Sequence, residues 1–473
     1  MAVNASGEVL ARHQVYYPTS YPQSGFAEQD PEEIFNAVLE VISKVIPQVL
    51  GYYEIKGISL SSAMHSIMAV DSASMPLTPL VIWADTRSTL QARAIRNSSS
   101  GKALHHQTGA PIHPMSPFCK LIWWRENNPE LIATAHKFIS MKEFVVQRLC
   151  GVYVVDYSIA SASGLFDIRS LSWHKKVIRL TGVKEEQLSR PVPPTFKCMI
   201  SPAWLQQLSI PDVPLVMGAS DGCLAQLGSG AMNNDDLTIT IGTSAAVRRV
   251  SQKDLNDPQQ SLFNYFLDEH TLISGGASNN GTVIIDWFNR EFNNSSQNLS
   301  EFASDTISIP PGSDGLMVLP YLQGERAPIY NPEARGVFFG VSMRHTHAHF
   351  KKALLESICF EILSIVRSVE FVHGTSGKIF VSGGFTYSAE WVQLLSHVLG
   401  RELIQTEVND ASSIGAAMIG FEALGLTFHQ KTGARKLFTP DIGLSKIYQE
   451  KFEVFEMLYR QVEPLFGLFN QAK

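Results

Sequence analysis

The order of elements in this chain constrains its fold more than any single motif, because the order reads twice. A turn and strand open the first half, followed by a helix, apolar strands and a late helix rich in glycine and alanine. From residue 232 the same order begins again. Parallel neighbours in a sheet need a helical crossover, so strands alternating with helices predict an α/β class in both halves. At 473 residues the chain is too long for one core. The repeat then divides it into a first domain over 1–231 and a second over 232–473.

The two openings differ. The second, "DDLTITIGTSAAVRRVSQ", is a full strand, a glycine turn and a second strand. In the first, Val9 to Tyr17 reads as a strand and Asn4 to Glu8 as a turn, with only three residues before the turn. A hairpin arm is usually about five or six residues long, so the first half lacks a counterpart to "LTITIGTS". A helix follows at "DPEEIFNAVLEVISKVIPQVL", with Asp30 as its cap, Pro31 in its first turn, and Glu32 and Glu33 at the positive end of its dipole. Its apolar face is Ile34, Phe35, Val38, Val41, Ile42 and Val45. "IKGISLSSAM" reads as a buried strand, "PLVIWADTRS" as a strand entering a helix, and Ala133 to Leu149 as one helix. The second half continues through "TLISGGAS", "GLMVLPYL", a long helix at "HAHFKKALLESICFEILSIVRSVEFV" and "KIFVSGG" to "SSIGAAMIGFEALG".

Composition narrows the function. A net charge of −6 does not suit an obligate nucleic-acid partner, since phosphate backbones select basic surfaces. Five cysteines stand far apart without CxxC pairing, which reads as reduced thiols in the cytoplasm. No apolar run is long enough to span a bilayer, so no membrane association is expected.

Three strand-to-glycine junctions carry candidate chemistry. In "TITIGTSAAV", Gly242 lets the backbone turn where a side chain would block it, and Thr243 and Ser244 offer hydroxyl and N–H donors to phosphate oxygens. A plain hairpin with a glycine bulge is the alternative. In "LVMGASDGCLAQ", Asp221 follows an apolar strand and Gly218 where a helix begins. A carboxylate there can take a proton from a hydroxyl attacking a phosphoryl group, or it can simply cap the helix. "KIFVSGGFTYSAEWVQ" places Gly383 and Gly384 at a third such junction, where a base or phosphate can lie against the backbone. Neither a Walker A loop nor a protein-kinase glycine loop is present.

With "SSAMHSIMAVD", "IWADTRS", "SPFCKLIWW", "GASDG", "IGTSAAV", "LQGERAPIYNPEARGVFFG", "FVSGG" and "SIGAAMIG" in this order, the chain resembles the FGGY family of carbohydrate kinases. The gluconate kinases within it are the most similar in "TGAPIHPMSP", "SSAMHS" and "WADTRS". The resemblance implies two ribonuclease-H-like domains of the actin-like ATPase type with a cleft between them. It also implies transfer of the γ-phosphoryl group of ATP, with Mg²⁺, to a sugar or sugar acid such as gluconate. Asp221 matches the family's base. Gly242, Thr243 and Ser244 match a phosphate loop, and Gly383, Gly384 and Ser388 an adenosine segment. Met64, His65, Met115 and Gly222 fall among the sugar contacts, with Asp85, Arg87 and His113 as further polar candidates. Arg87 suits a bidentate contact to a substrate carboxylate or, equally, a structural ion pair. No protein ligand to the metal is assigned beyond Asp221, acting through water.

The opening departs from the family, whose members begin with a strand and a first phosphate loop that nothing here matches. About fifteen residues would complete such a strand and turn. The rival readings are a kinase for another sugar, such as xylulose, and a silent sugar-acid-binding protein. A homodimer is left open. His345, His347 and His349 in "RHTHAHFKK" are expected to be solvated or capping, and His105 and His106 to lie at the surface.

Overall fold

The computed structural model describes every residue except 252–256, 294–296, 407–409, 430–434 and 472–473. The chain forms two compact units, the first from Met1–Met232, Ser251–Ile273 and Asn409–Thr432, the second from the remainder. It therefore crosses between units more than once, where the repeat implied a single crossing near residue 232.

The first unit opens with β1 (Ala2–Val3) antiparallel to β2 (Val9–Ala11). The Asn4 side chain closes the turn between them, accepting from the backbone N–H groups of Ser6 and Glu8 at 3.0 Å each. The strand expected to reach Tyr17 stops at Ala11, because β1 is too short to pair with more. Helix α1 (Pro31–Val49) starts as expected, with Asp30 accepting from the N–H groups of Glu32 and Glu33. It buries Ile34, Phe35, Ile42 and Val45, while Val38 and Val41 on the same face stay half-buried.

Strand β3 (Ile58–Ser62) was expected to be buried but is the edge of its sheet and only half-buried. The single helix expected over Ala133 to Leu149 is also interrupted. Lys137–Ile139 pairs with Met68–Val70 as a strand, and Ser140 then caps α2 (Met141–Cys150) in a reciprocal box with Glu143. A short helix, α3 (Tyr157–Ala162), follows. Strand β4 (Lys197–Met199) runs antiparallel to β5 (Pro214–Ser220), which lies parallel to β3 on its other side. The register of β5 against β3 shifts between Val216 and Ala219. Gly218 makes this possible: its φ is +58°, and a Cβ there would lie 1.9 Å from the Leu60 carbonyl oxygen. Helix α4 (Asp221–Gly228) follows β5 without a loop.

The second unit begins with β6 (Leu237–Ile241) and β7 (Ala245–Ser251), an antiparallel hairpin. With β8 (Leu272–Ser278), β9 (Ile379–Ser382) and β10 (Leu403–Thr406) they are five consecutive strands of a seven-stranded sheet, in the order β8-β7-β6-β9-β10. The pairs β6–β9 and β9–β10 are parallel. Helix α5 (His347–His373) buries Leu354, Ile358, Ile362 and Val369, and α6 (Ala389–Leu399) packs against it with a fully buried Trp391. The chain then returns to the first unit as α7 (Ala411–Ala423) before ending in the second with β11 (Arg435–Phe438), antiparallel to β10, and α8 (Ile442–Gln471).

Helices α4 and α7 pack almost backbone to backbone in the first unit. A Cβ on Gly228 would lie 1.9 Å from the Ala411 carbonyl oxygen, and one on Gly415 would lie 2.1 Å from that of Leu224. Gly228→Ala should therefore force the helices apart and lower stability by about 1–3 kcal/mol, the usual range for overpacking. Gly51→Ala, whose added carbon meets nothing within 4 Å, is the control and should leave the urea midpoint close to wild type.

Candidate active site

Asp221 stands at the first turn of α4, and its position is set from beneath by buried polar groups. Ser220, not Asp221, is the helix cap, with its side chain accepting from the Cys223 N–H. The Asp221 carboxylate is exposed and accepts from the Gly222 N–H at 2.7 Å. Capping by the aspartate, the bland sequence alternative, is thus displaced by one residue.

Below the cap, the Ser220 N–H donates to Ser158 Oγ at 2.6 Å, and that hydroxyl donates to Asp156 Oδ1 at 2.5 Å. Lys142 Nζ closes the network, donating to Asp156 Oδ2 at 2.7 Å and to the Ala219 carbonyl at 2.8 Å. The lysine and aspartate side chains are 1% and 0% exposed, so each depends on the other for neutrality. Asp156 also caps α3 through the N–H groups of Ser158 and Ile159.

The far end of α3 holds the sugar-contact candidates. His65, nearly buried and at φ 68°, donates from Nδ1 to the Ala162 carbonyl at 2.9 Å. Its ring meets Tyr265 edge-on at 5.7 Å. Ser158, which holds the residue before Asp221, and Ala162, which holds His65, thus stand four positions apart on one short helix. A buried Lys120 ties the same loop down, donating to the carbonyls of His65 at 2.7 Å and Ile82 at 2.8 Å. Burial lowers the pKa of Lys120 to about 7. Met64 packs half-buried against this core, and Met115 is buried beside His113, whose Nδ1 accepts from the Met115 N–H at 3.3 Å.

Asp85 and Arg87 form a structural bracket. Asp85 is fully buried and accepts from the Ala27 N–H at 2.8 Å. Arg87 clamps it through Nε at 2.9 Å and a terminal nitrogen at 2.8 Å, bonds Glu28 at 2.5 Å and stacks 3.7 Å from the Phe26 ring centroid. Of the two sequence readings for Arg87, this geometry favours the ion pair.

In the second unit, the Gly242–Ser244 turn is held by backbone bonds. The Gly242 carbonyl accepts from the Thr282 N–H at 2.7 Å and the Thr243 carbonyl from the Gly281 N–H at 3.2 Å. The expected steric need for glycine at 242 is not met by the protein itself, since a Cβ there would touch nothing within 4 Å. The space beside Gly242 is open. Gly383 does need to be glycine: φ is +100°, and a Cβ would lie 2.4 Å from the Ile241 carbonyl oxygen. A Cβ on Gly384 would meet Leu299 Cδ1 at an ordinary 3.8 Å, whereas Ser388 is buried and caps α6 through the Trp391 N–H at 3.2 Å.

Two histidine expectations resolve differently. His105 is buried, not superficial: its Nε2 donates to the Leu262 carbonyl at 2.8 Å, and burial pushes its pKa down. His106 lies half-buried against Arg169. His349 caps, its Nδ1 accepting from the Thr346 N–H at 3.1 Å at the start of α5.

A carboxylate exposed beyond the carboxyl end of a strand stands where ligands of open α/β sheets collect. The chain belongs to the FGGY family of carbohydrate kinases, whose N-terminal domain matches residues 1–228 and whose C-terminal domain matches residues 237–424. The gluconokinase of Bacillus subtilis is 35% identical over 97% of this chain and 92% of its own length. Among solved structures, a xylulose kinase from Lactobacillus acidophilus aligns with a TM-score of 0.92 at 28% identity, over 99% of this chain and 96% of that one. A gluconate kinase from the same organism aligns at 0.88 and 28%, over 96% and 93%. The fold is therefore the family's two-domain, ribonuclease-H-like α/β arrangement, and the chain is a phosphotransferase that uses ATP and takes a sugar alcohol group as acceptor. Among the described residues no helix is long and apolar enough to cross a membrane.

Sequence reasoning passed over Lys120, Lys142, Asp156 and Ser158. Lys142→Met should strand the Asp156 charge in the interior and cost about 3–5 kcal/mol, as breaking buried pairs typically does. The double variant Lys142→Met, Asp156→Asn should recover part of that loss. Equal denaturation midpoints for wild type and the single variant would show that the pair contributes nothing.

Proposed function

We propose that this chain phosphorylates gluconate on its terminal hydroxyl, consuming ATP and giving 6-phosphogluconate. The observation that carries the reading is the exposed Asp221 carboxylate at the start of α4, released from capping by Ser220. The likeness in sequence to a gluconokinase at 35% identity favours the sugar acid over a neutral ketose.

In this reading Asp221 accepts the proton of the substrate hydroxyl as its oxygen attacks the γ-phosphorus and ADP departs. Met64, His65, His113 and Met115 line the sugar side, and Gly222 lets the backbone come close to it. The Arg87–Asp85 bracket keeps the loop after Ile82 rigid beneath the sugar, with its guanidinium engaged by Asp85 and Glu28. Backbone and hydroxyl donors of Gly242, Thr243 and Ser244 hold phosphate oxygens on the turn's open side, and Gly383 and Gly384 give the adenosine a flat backbone surface. Among the described residues no three His, Cys, Asp or Glu side chains gather as a metal site. Mg²⁺ would accordingly be held by the ATP phosphates, with Asp221 reaching it through water, and supply charge neutralisation there. The cysteines are free and four of the five are buried, which supports a cytoplasmic setting.

Xylulose is the second reading, supported by the TM-score of 0.92 to a xylulose kinase. An ADP-release assay over gluconate, xylulose and glycerol separates the two. Gluconate should exceed the neutral sugars at least about tenfold in kcat/KM, the scale on which a subsite built for a polar group discriminates. Equal rates would reject gluconate specificity.

Asp221→Asn should keep gluconate binding, measured by calorimetry, and lower turnover by about a hundredfold or more, the typical weight of a general base. Near-normal turnover would remove Asp221 from the mechanism.

A further inference from the structure

The Gly242–Ser244 turn owes its place to the segment that follows β8. The Thr282 N–H holds the Gly242 carbonyl, and the Thr243 carbonyl accepts from the Gly281 N–H at 3.2 Å and the Val283 N–H at 3.4 Å. The two backbones meet with no side chain between them. A Cβ on Gly281 would lie 2.3 Å from the Gly242 carbonyl oxygen. Residues 279–282 belong to neither β8 nor the short helix after them, Val283–Phe288, so their backbone has no regular ladder to fix it. The turn can be placed no better than this segment is.

A buried carboxylate fixes the segment from its other side. Glu325, in "LQGERAP", is fully buried, and each of its oxygens accepts two hydrogen bonds. Oε1 accepts from the N–H groups of Asn279 at 3.0 Å and Arg326 at 2.6 Å. Oε2 accepts from the Ser278 hydroxyl at 2.7 Å and the Asn280 side-chain amide at 2.6 Å. Three of these four donors come from residues 278–280, directly before the N–H groups that hold the turn. Further bonds join the same two segments, from Asn280 Nδ2 to the Gly324 carbonyl and from the Arg326 guanidinium to the Ser278 carbonyl, each at 2.9 Å. Burial raises the pKa of Glu325, and its four donors oppose that shift. A group that only accepts suits this position, and an amide does not.

We propose that Glu325 is a positioning residue for ATP, acting through the Gly242–Ser244 turn without touching the nucleotide. The inference rests on the reading of that turn as a phosphate site. Glu325 holds residues 278–280, and their continuation holds the carbonyls of Gly242 and Thr243. In a trans peptide the N–H points opposite to the C=O of the same plane. Drawing those two carbonyls to one side therefore turns the N–H groups of Thr243 and Ser244 to the other side, where phosphate oxygens are received. Donors aimed in advance need no reorganisation when charge arrives, and that is where a protein's contribution to phosphoryl transfer lies.

The test compares Glu325→Gln, Ser278→Ala and Gly242→Ala with the wild type. Glu325→Gln keeps the shape but sets an amide NH₂ against two donors, and Ser278→Ala removes one bond from the same carboxylate. Gly242→Ala leaves Glu325 alone and adds a methyl group where the protein has room, so it probes the phosphate reading by itself. Steady-state kinetics give KM for ATP and for the sugar acceptor, and hydrogen exchange is followed over residues 278–283. Glu325→Gln should raise KM for ATP about tenfold or more, leave KM for the sugar within about twofold, and speed exchange at Gly281 and Thr282 about tenfold. Ser278→Ala should move the same readouts in the same direction by less, and it carries the test if Glu325→Gln does not fold. A residue serving stability alone would lower Tm and the active fraction with both KM values unchanged. That result would overturn the proposal, as would unaltered exchange at Gly281 and Thr282. If Gly242→Ala leaves KM for ATP unchanged, the phosphate reading of the turn is rejected, while faster exchange in Glu325→Gln still supports the hold of Glu325 on the turn.

Discussion

A lysine and an aspartate withdrawn from water hold the candidate site in place. Lys142 and Asp156 have almost no exposed surface, and in isolation either charge would cost more to bury than the fold can offset. They are tolerated because every strong bonding direction is used. Asp156 accepts from Lys142, the Ser158 hydroxyl and the N–H groups of Ser158 and Ile159, and Lys142 also donates to the Ala219 carbonyl. Each of those bonds fixes a different piece of chain: α2, the start of α3, and the end of β5. Asp221 inherits its position from this junction, since the residue before it is bonded to Ser158. A charge pair that adds little net stability can still specify one geometry, and here the geometry is that of a carboxylate at a strand end.

The second constraint is distance between backbones. Gly228 and Gly415 let α4 and α7 approach until the carbonyl of one lies where the other's Cβ would be. Gly218 plays the same part between β5 and Leu60 of β3. Small residues at these contacts bring the helix that carries Asp221 hard against its neighbours, so its first turn has little freedom to drift. Positioning of this kind matters for phosphoryl transfer, where the protein contributes geometry and electrostatics more than covalent chemistry.

Much of this was legible in the sequence wherever local chemistry decides. Asp30, Pro31, Glu32 and Glu33 announce α1, and the strand-to-helix junctions at Gly218–Asp221 and Gly383–Gly384 lie where the alternation puts them. What escaped depends on partners far along the chain. The Ser140–Glu143 box was a readable signal that α2 starts afresh, yet the strand before it exists only because Met68–Val70 pairs with it. His105 reads as superficial beside His106, and its burial comes from the Leu262 carbonyl, more than a hundred residues away. Lys120 and Lys142 went unremarked, because nothing in their sequence neighbourhoods names the carbonyls and carboxylate that enclose them. Periodicity places β3 in a sheet but says nothing of what lies on its other side.

The carboxylates of the first unit show how environment divides one functional group among several roles. Asp85 and Asp156 are buried and saturated with donors, so protonating either would forfeit its bonds to Arg87 or Lys142. Such groups serve as anchors. Glu143 is buried without a cation bonded to it, and burial pushes its pKa up to about 7. Its folded pKa lies above the carboxylate's unfolded value, so folding favours its protonated form, and its contribution to stability declines as pH rises from about 4.5 towards 7. Asp221 differs from all three. It is exposed at the start of a helix, with an adjacent N–H to orient it. The general base proposed for this site must accept a proton and release it in every cycle, which needs contact with solvent or substrate. Among these four carboxylates Asp221 is the exposed one, and the capping of α4 falls to its neighbour Ser220.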